Sequence, residues 1–148
     1  MGKWDCDGTV VDFFEAFHTT PFVAVYGTLK RGFENNELLK GCSFVGEGVT
    51  EGLYRLFECE YPCAVPDAKG GKPLMVEVYR LDHPRRLALL DFLLGFPIYY
   101  SRCPERVTLK NGKTVTAWLY FSKNPKGEPY EPRKDGDKGG EDVLIWKG

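Results

Sequence analysis

The sequence predicts an α+β domain built on a small, curved, barrel-like mixed β-sheet with flanking helices. Its strand-like runs outnumber its helical ones, and the two kinds do not alternate as a doubly wound sheet requires. Two of the strand runs, between Arg102 and Phe121, are joined by Asn111-Gly112, which is a strong hairpin signal. The length of 148 residues suits one domain with one core.

The N-terminal residues 1–20 are predicted to form an extension of this domain. Val11, Phe14 and Phe17 recur there at helical spacing, which favours a short amphipathic helix that docks on the domain. Residues 21–148 are predicted to form the single domain itself.

The first half of the domain reads as strands around one short helix. Residues 22–26 are typical of a buried strand, and residues 34–40 of a short helix. Residues 43–57 predict one or two strands, broken near the glycines at 46, 48 and 52.

The second half begins with a predicted loop, "ECEYPCAVPDAKGGKP", which is rich in proline and glycine. The run "LMVEVYRL" then alternates two kinds of side chain, as a strand with unlike faces does. A helix is predicted from Pro84 to Gly95, because proline favours the first turn and glycine the end of a helix. From about residue 122 a Pro/Gly-rich tail follows, with Val143–Trp146 as a last anchor.

Composition narrows the partners and the location. The net charge of −1 gives no basic surface of the kind that nucleic acid selects, and no apolar run is long enough to span a membrane. The odd number of cysteines, 5, and the lack of a signal-peptide pattern predict reduced thiols and a cytoplasmic protein. No metal site is expected, and a small molecule is the expected partner.

The segment "GTLKRGF", which follows the first strand of the domain, is the main candidate binding loop. Gly27 and Gly32 have the spacing of a phosphate loop, but Phe33 and Glu34 stand where that loop needs Lys and Ser or Thr. Nucleotide binding is therefore not predicted. A strand that ends in glycine can still turn successive backbone N–H groups towards a carboxylate or a developing oxyanion.

Several segments in order, "VYGTLKRG", "NELL", "VEVYRLD", "LDFLLGFPIYYSR" and "WLYF", resemble the gamma-glutamylcyclotransferase-like family. That family includes the gamma-glutamylamine cyclotransferases and the plant avirulence-induced proteins. The resemblance covers about residues 22–121 and implies a small mixed-sheet barrel with a pocket at the Tyr-Gly-Thr-Leu loop. It also implies a reaction without a cofactor, in which the α-amine of a γ-glutamyl group attacks its own γ-carbonyl and releases 5-oxoproline and an amine or amino acid.

By the same resemblance, substrate would bind at Tyr26, Gly27, Thr28 and Leu29, with Tyr100 and Tyr120 lining the pocket. The chemistry needs a base, because an α-amine of pKa about 8 is largely protonated at neutral pH. The backbone N–H groups would hold the oxygen charge while the ring closes.

The family's base is the glutamate of an L-D-x-x-E-G motif, and here Leu94 occupies that position. Leucine cannot accept a proton, so three explanations stay open. Another carboxylate, Glu77 or Asp91, serves as the base; or the chain is a catalytically silent relative that binds a γ-glutamyl or other amino-acid-like ligand. The third is that Leu94 reflects an introduced substitution or a local register shift.

Overall fold

A computed structural model of the chain describes residues 13–59, 61–96, 98–122, 125, 127–130 and 143–147. The helices are α1 (Phe13–Thr19), a 3₁₀-helix (Glu34–Leu39) and α2 (Pro84–Leu94). The strands are β1 (Phe22–Val25), β2 (Ser43–Glu58), β3 (Pro62–Pro66), β4 (Lys72–Arg80), β5 (Ser101–Leu109), β6 (Thr114–Phe121) and β7 (Glu128–Pro129). Residues 1–12 of the predicted extension and 131–142 of the predicted tail lie outside the described residues.

The sheet closes on itself as a barrel. Its strands follow the order β2-β4-β1-β6-β5, and β5 pairs again with β2, so the ring has no open edge between these strands. The β1–β6 pair is parallel, with Val23 opposite Trp118, whereas the other neighbours are antiparallel. The predicted α+β fold with a mixed, barrel-like sheet is confirmed.

The long strand β2 runs through the glycines that were expected to break it. Its pairing with β4 shifts register between Phe44 and Gly46 and again between Val49 and Leu53, which bends the strand without ending it. A Cβ atom at Gly48 would lie 2.5 Å from the carbonyl oxygen of Thr108. The absence of a side chain at Gly48 therefore permits the close approach of β2 and β5 that closes the barrel.

The prediction that residues 58–73 form a loop is wrong for Pro62–Pro66, which is strand β3. Among the described strands it pairs with β2 alone, so it lies at an edge of the sheet. Proline is tolerated at an edge because one side of the strand needs no N–H donors. Glu128–Pro129, within the predicted tail, likewise pairs with β2 as β7.

Strand side chains alternate between two hydrophobic clusters. One cluster lies inside the barrel and takes residues such as Ala24, Val76, Val78 and Leu119. The other lies between the outer face of the barrel and the helices, and includes Val23, Val25, Tyr79, Leu87, Leu90, Leu94, Trp118 and Tyr120. The functional residues discussed below belong mostly to this second cluster, where the helices meet the sheet.

Both α-helices pack on that outer cluster. In α1, Ala16 is fully buried and the helix contacts α2. Helix α2 begins where the backbone N–H of Arg85 donates to Nδ1 of His83, and it ends at Gly95 with φ 70°, as predicted from Pro84 and Gly95. No helix in the described part of the chain is long and apolar enough to cross a membrane.

Among the four described cysteines, one differs from the prediction. Cys42, Cys59 and Cys63 are free thiols. Cys103 is disulfide-bonded, so the expectation that all the cysteines are reduced is wrong for Cys103.

Candidate active site

A small pocket lies at the end of β1, where the chain leaves the barrel. Its cavity of about 30 Å³ has room for roughly two water molecules. The lining residues are Ala24, Val25, Tyr26, Gly27, Thr28, Leu29, Tyr61, Pro62, Leu94, Tyr100 and Tyr120. The binding residues proposed from the sequence and Leu94 therefore meet around one cavity, whereas the two alternative bases, Glu77 and Asp91, are not among the lining residues.

The loop after β1 is a tight turn with unused donors. The backbone N–H of Lys30 donates to the carbonyl of Gly27 at 2.9 Å, which makes Thr28 and Leu29 the central residues of the turn. Within the described residues, the N–H groups of Gly27, Thr28 and Leu29 have no acceptor. Consecutive N–H groups of this kind suit a carboxylate or an oxyanion.

Two asparagines that were not predicted from the sequence stabilise this turn by hydrogen bonds. Nδ2 of Asn35 donates to Oγ1 of Thr28 at 2.9 Å, and Nδ2 of Asn36 donates to the carbonyl of Leu29 at 2.8 Å. Both asparagines lie in the 3₁₀-helix that follows the turn. The signal for them was slight: adjacent amides at the start of a short helix also occur as simple capping residues.

Glu77 supports the same loop from β4. Its Oε1 accepts from the backbone N–H of Arg31 at 2.9 Å and from the hydroxyl of Tyr79 at 3.1 Å. Its Oε2 lies 3.5 Å from Nε of Arg31, and its side chain is 8% exposed. The carboxylate is thus buried and bonded to Arg31 and Tyr79, and it does not line the pocket.

The tyrosine hydroxyls around the pocket donate to protein acceptors. Tyr120 donates to Oδ1 of Asp91 at 2.5 Å, and Tyr26 donates to the carbonyl of Tyr120 at 2.7 Å. Tyr100 lies within hydrogen-bond distance of the carbonyls of Tyr61 and Pro62, at 3.0 and 3.1 Å. Burial, the largest cause, raises the pKa of Tyr26, Tyr100 and Tyr120, so all of these hydroxyls stay neutral at physiological pH.

Asp91 belongs to a buried polar network between α2 and the sheet. Both of its oxygens accept from the guanidinium of Arg102 on β5, each at 2.8 Å, in a bidentate pair. Arg102 is 3% exposed and lies over the rings of Phe96 and Trp118. The sequence did not predict Arg102, because its partner comes from an element that only the tertiary fold brings near.

Leu94 ends α2 one turn after Asp91, and it lines the pocket with 8% exposure. Residues three apart share a helix face, so Asp91 and Leu94 both lie on the buried face of α2. One turn apart along that face, Asp91 pairs with Arg102 and Leu94 lines the cavity. A register shift would not supply a carboxylate here, since residues 92–104 contain neither Asp nor Glu. The described lining residues include no acidic side chain at all.

The described residues offer no cluster of side chains that could hold a metal ion. Among the residues with described positions, no group of three or more histidine, cysteine, aspartate or glutamate side chains comes together. The chemistry of the pocket therefore has to be argued from its N–H donors, its tyrosines and Leu94.

The sequence is similar to one family of known proteins. Residues 23–141 match the family model "Gamma-glutamyl cyclotransferase, AIG2-like". A Methanocaldococcus jannaschii protein named "Putative gamma-glutamylcyclotransferase" is 39% identical over 101 residues, which cover 68% of this chain and 82% of that protein.

Solved structures give the same fold. An uncharacterized protein from Pyrococcus horikoshii matches with a TM-score of 0.56 and 32% identity, over 75% of this chain and 86% of that one. A mouse AIG2-like protein matches with a TM-score of 0.66 over 86% of this chain and 95% of that one, and at 24% identity it supports the fold alone. By the extent of the family match and the identity to its relatives, the chain belongs to the AIG2-like gamma-glutamyl cyclotransferase family.

Proposed function

We propose that this chain binds a small γ-glutamyl or amino-acid-like ligand in the family's pocket without turning it over at a useful rate. The observation that carries this proposal is the position of Leu94, which lines the cavity where the family places its base. No described lining residue offers a carboxylate in its stead. Among the described residues, the pocket has backbone N–H groups that can hold an anion and no carboxylate that could remove a proton.

The balance of the reaction makes this difference decisive. Cyclisation forms a bond between the α-amine nitrogen and the γ-carbonyl carbon and breaks the γ-amide bond. The ammonium must first lose one proton to a base, and it loses a second as the lactam forms, while the leaving amine takes up one proton. The N–H groups of Gly27, Thr28 and Leu29 can stabilise the oxygen charge. Neutral tyrosines of raised pKa are donors and do not serve as bases for an amine.

A second candidate function is an active γ-glutamyl cyclotransferase in which Glu77 serves as the base. Two observations favour it: the chain belongs to the family, and Glu77 is a buried carboxylate bonded to the candidate loop at Arg31. Such a role requires Glu77 to leave Arg31 and Tyr79 and to reach the cavity. Asp91 is a weaker candidate, because both of its oxygens are held by Arg102.

The proposal keeps the other expectations drawn from the sequence. The partner is a small molecule, no cofactor takes part, and neither nucleic acid nor a membrane is bound. The location is proposed to be cytoplasmic.

The experiment measures binding and release on the same samples. Titration calorimetry and an assay for 5-oxoproline are run on the full chain with a panel of γ-glutamyl amines and γ-glutamyl dipeptides. We expect at least one compound to bind and no release above the rate without protein. Release that disappears in Glu77→Gln would establish the second candidate, and a folded chain that neither binds nor releases would contradict both.

A further inference from the structure

We infer that Cys59 and Cys63 form a dithiol site beside the pocket, which a low-molecular-weight disulfide such as oxidised glutathione converts into an intramolecular disulfide. This modification does not depend on the proposed binding function. Its effect on the shape of the pocket follows from the contacts of the residues next to the two cysteines.

The hairpin of β2 and β3 brings the two thiols together. Phe57 lies opposite Cys63 and Glu58 lies opposite Pro62, so the same register places Cys59 diagonally across from Cys63. Alternate residues of a strand share a face, and both cysteines belong to the cluster between the barrel and the helices. Both are free thiols, and the thiol of Cys63 forms a side-chain hydrogen bond with that of Cys59.

The two thiols differ in exposure, which sets the order of the reaction. Cys59 is half-buried, so a dissolved oxidant reaches it first, whereas Cys63 is buried. The thiolate of Cys59 attacks one sulfur of oxidised glutathione and releases one glutathione. The sulfur of Cys63 then attacks the mixed disulfide and releases the second glutathione. The two protein thiols thereby lose two electrons and two protons, which the two released glutathione molecules carry away.

Burial raises the pKa of Cys63 to about 12, so this thiol is a poor first nucleophile towards an oxidant in solution. Its attack on Cys59 is intramolecular, and the proximity of the two sulfurs offsets its small thiolate fraction. The pair thus has one accessible thiol and one resolving thiol.

The residues between the cysteines belong to the wall of the pocket. Tyr61 and Pro62 line the cavity, as does Tyr100. The hydroxyl of Tyr100 lies 3.0 and 3.1 Å from the carbonyls of Tyr61 and Pro62, and 3.1 Å from Sγ of Cys63. A change in the position of Cys63 therefore acts directly on a lining residue.

Closing the disulfide moves this wall. Diagonal neighbours on one face of a hairpin lie about 7–8 Å apart, whereas the Cα atoms of a disulfide usually lie about 4.4–6.8 Å apart. The segment that carries Cys63 must therefore approach Cys59. The next residue, Ala64, donates its backbone N–H to the hydroxyl of Tyr26 at 2.9 Å, so we expect oxidation to weaken this bond to the pocket.

The first test is peptide mapping of the full chain after incubation with oxidised glutathione without denaturant. Cleavage after Arg55 and Lys69 gives one peptide that contains both cysteines, and an internal disulfide makes it two hydrogens lighter. We expect this lighter peptide from the parent. In Cys63→Ala, glutathione should stay on Cys59 about tenfold longer or more, because no neighbouring thiol displaces it. Cys42, a half-buried free thiol, is the internal control and should at most retain glutathione.

The second test compares the reduced and the oxidised parent by hydrogen exchange and by calorimetric titration. The amide of Ala64 should exchange about tenfold faster in the oxidised chain, because its bond to Tyr26 is weakened. The probe γ-glutamylalanine should bind the oxidised chain about tenfold more weakly, since the wall that contacts it has moved. This last readout alone rests on the proposed function.

The outcomes separate the dithiol site from the proposed function. Two free thiols in the parent peptide, or glutathione retained there as long as in Cys63→Ala, would overturn the dithiol site. Unchanged exchange at Ala64 after the disulfide has formed would overturn its effect on the pocket. Failure of γ-glutamylalanine to bind either form counts against the binding function alone, because the other readouts need no ligand. If Cys63→Ala does not fold, the mass of the parent peptide still decides.

Discussion

The two sides of the pocket differ in the groups that they present to the cavity. On the loop side, the N–H groups of Gly27–Leu29 have no acceptor in the described part of the chain. Asn35 bonds to Thr28 of this turn, and Glu77 bonds to Arg31, which follows it. On the helix side, the buried pair of Asp91 and Arg102 is intact, yet the next turn of the helix presents a leucine. The difference teaches that the backbone donors and the position proposed for the base belong to separate elements, so a substitution in one element can leave the other unchanged.

The strongest way to break the contrast is to put a base on the helix side. Leu94→Glu is expected to raise 5-oxoproline release from γ-glutamyl compounds by about 100-fold to 10,000-fold, the usual range for general-base catalysis. The apolar surroundings of position 94 would also raise the pKa of the new carboxyl, which suits a base near neutrality. Initial rates for the parent, Leu94→Glu and the uncharged control Leu94→Gln give the measure. Equal rates for Glu and Gln would show that the pocket is not organised for this chemistry.

The next largest effect concerns the buried ion pair of Asp91 and Arg102, to which we assign a structural role. Asp91→Asn leaves the buried charge of Arg102 without its counter-charge and should lower the free energy of unfolding by about 3–5 kcal/mol. Urea unfolding measures it. The control is Asp82→Asn, which breaks a more exposed pair with Arg86 and should cost about 1 kcal/mol or less. Similar losses in both variants would refute a special role for the buried pair.

A third change disturbs the loop side by its shape alone. In Gly27→Ala the new Cβ would lie 2.9 Å from Cγ of Pro62, and both residues line the pocket. The loop has to shift, so ligand affinity should fall about tenfold while the fold persists. The matched control is Gly70→Ala, whose Cβ meets its nearest atom, on Asp67, at 3.4 Å. Unchanged affinity in Gly27→Ala, measured by titration, would mean that this turn is only a connection.

Glu77→Gln sharpens the loop side further. The substitution keeps the side-chain shape and removes the charge that Arg31 meets, so we expect ligand binding to weaken by about fivefold, corresponding to roughly 1 kcal/mol. Glu51→Gln, on β2 in an exposed ion pair with Arg106, serves as control and should leave binding unchanged. If the parent proves active and Glu77→Gln abolishes turnover with binding retained, Glu77 is a base and the contrast fails.

The smallest effect concerns the thiol of Cys63, which lies 3.1 Å from the hydroxyl of the lining residue Tyr100. Burial raises the pKa of Cys63 from 9.0 to about 12. Above pH 9 the unfolded chain loses this proton while the folded chain keeps it, so stability should fall as pH rises from about 9 to 12. Urea unfolding across that range should show a shallower fall for Cys63→Ala. An identical slope in parent and variant would contradict the raised pKa.

Local signals predicted most of the fold. Pro84 and Gly95 mark the ends of α2, and Asn111-Gly112 joins β5 and β6 with Gly112 at φ 91°, as such turns require. Strand β3 was missed because Pro62 and Pro66 are local breakers, and only the pairing with β2 makes them acceptable. The continuity of β2 through its glycines was missed for the same reason, since bulges depend on partner strands.

Some residues of the site were likewise predicted from the sequence, and others were not. The Tyr-Gly-Thr-Leu turn and the position of Leu94 follow from sequence motifs, and the structure brings them together around one cavity. Whether these residues bind ligand stays a prediction. The roles of Asn36 and Arg102 did not follow, because their partners lie in other elements and their contacts exist only after folding.

The closure of the barrel has a kinetic consequence for the pocket. The hydroxyl of Tyr26 donates to the carbonyl of Tyr120, 94 residues away, and β1 finds β6 as its parallel partner across the same span. Pairing across so long a loop is entropically costly and slow, so we expect these contacts to form late and the cavity to be complete only in the fully folded chain. A ligand that binds there should slow global unfolding and leave local fraying of the hairpin between β5 and β6 unaffected.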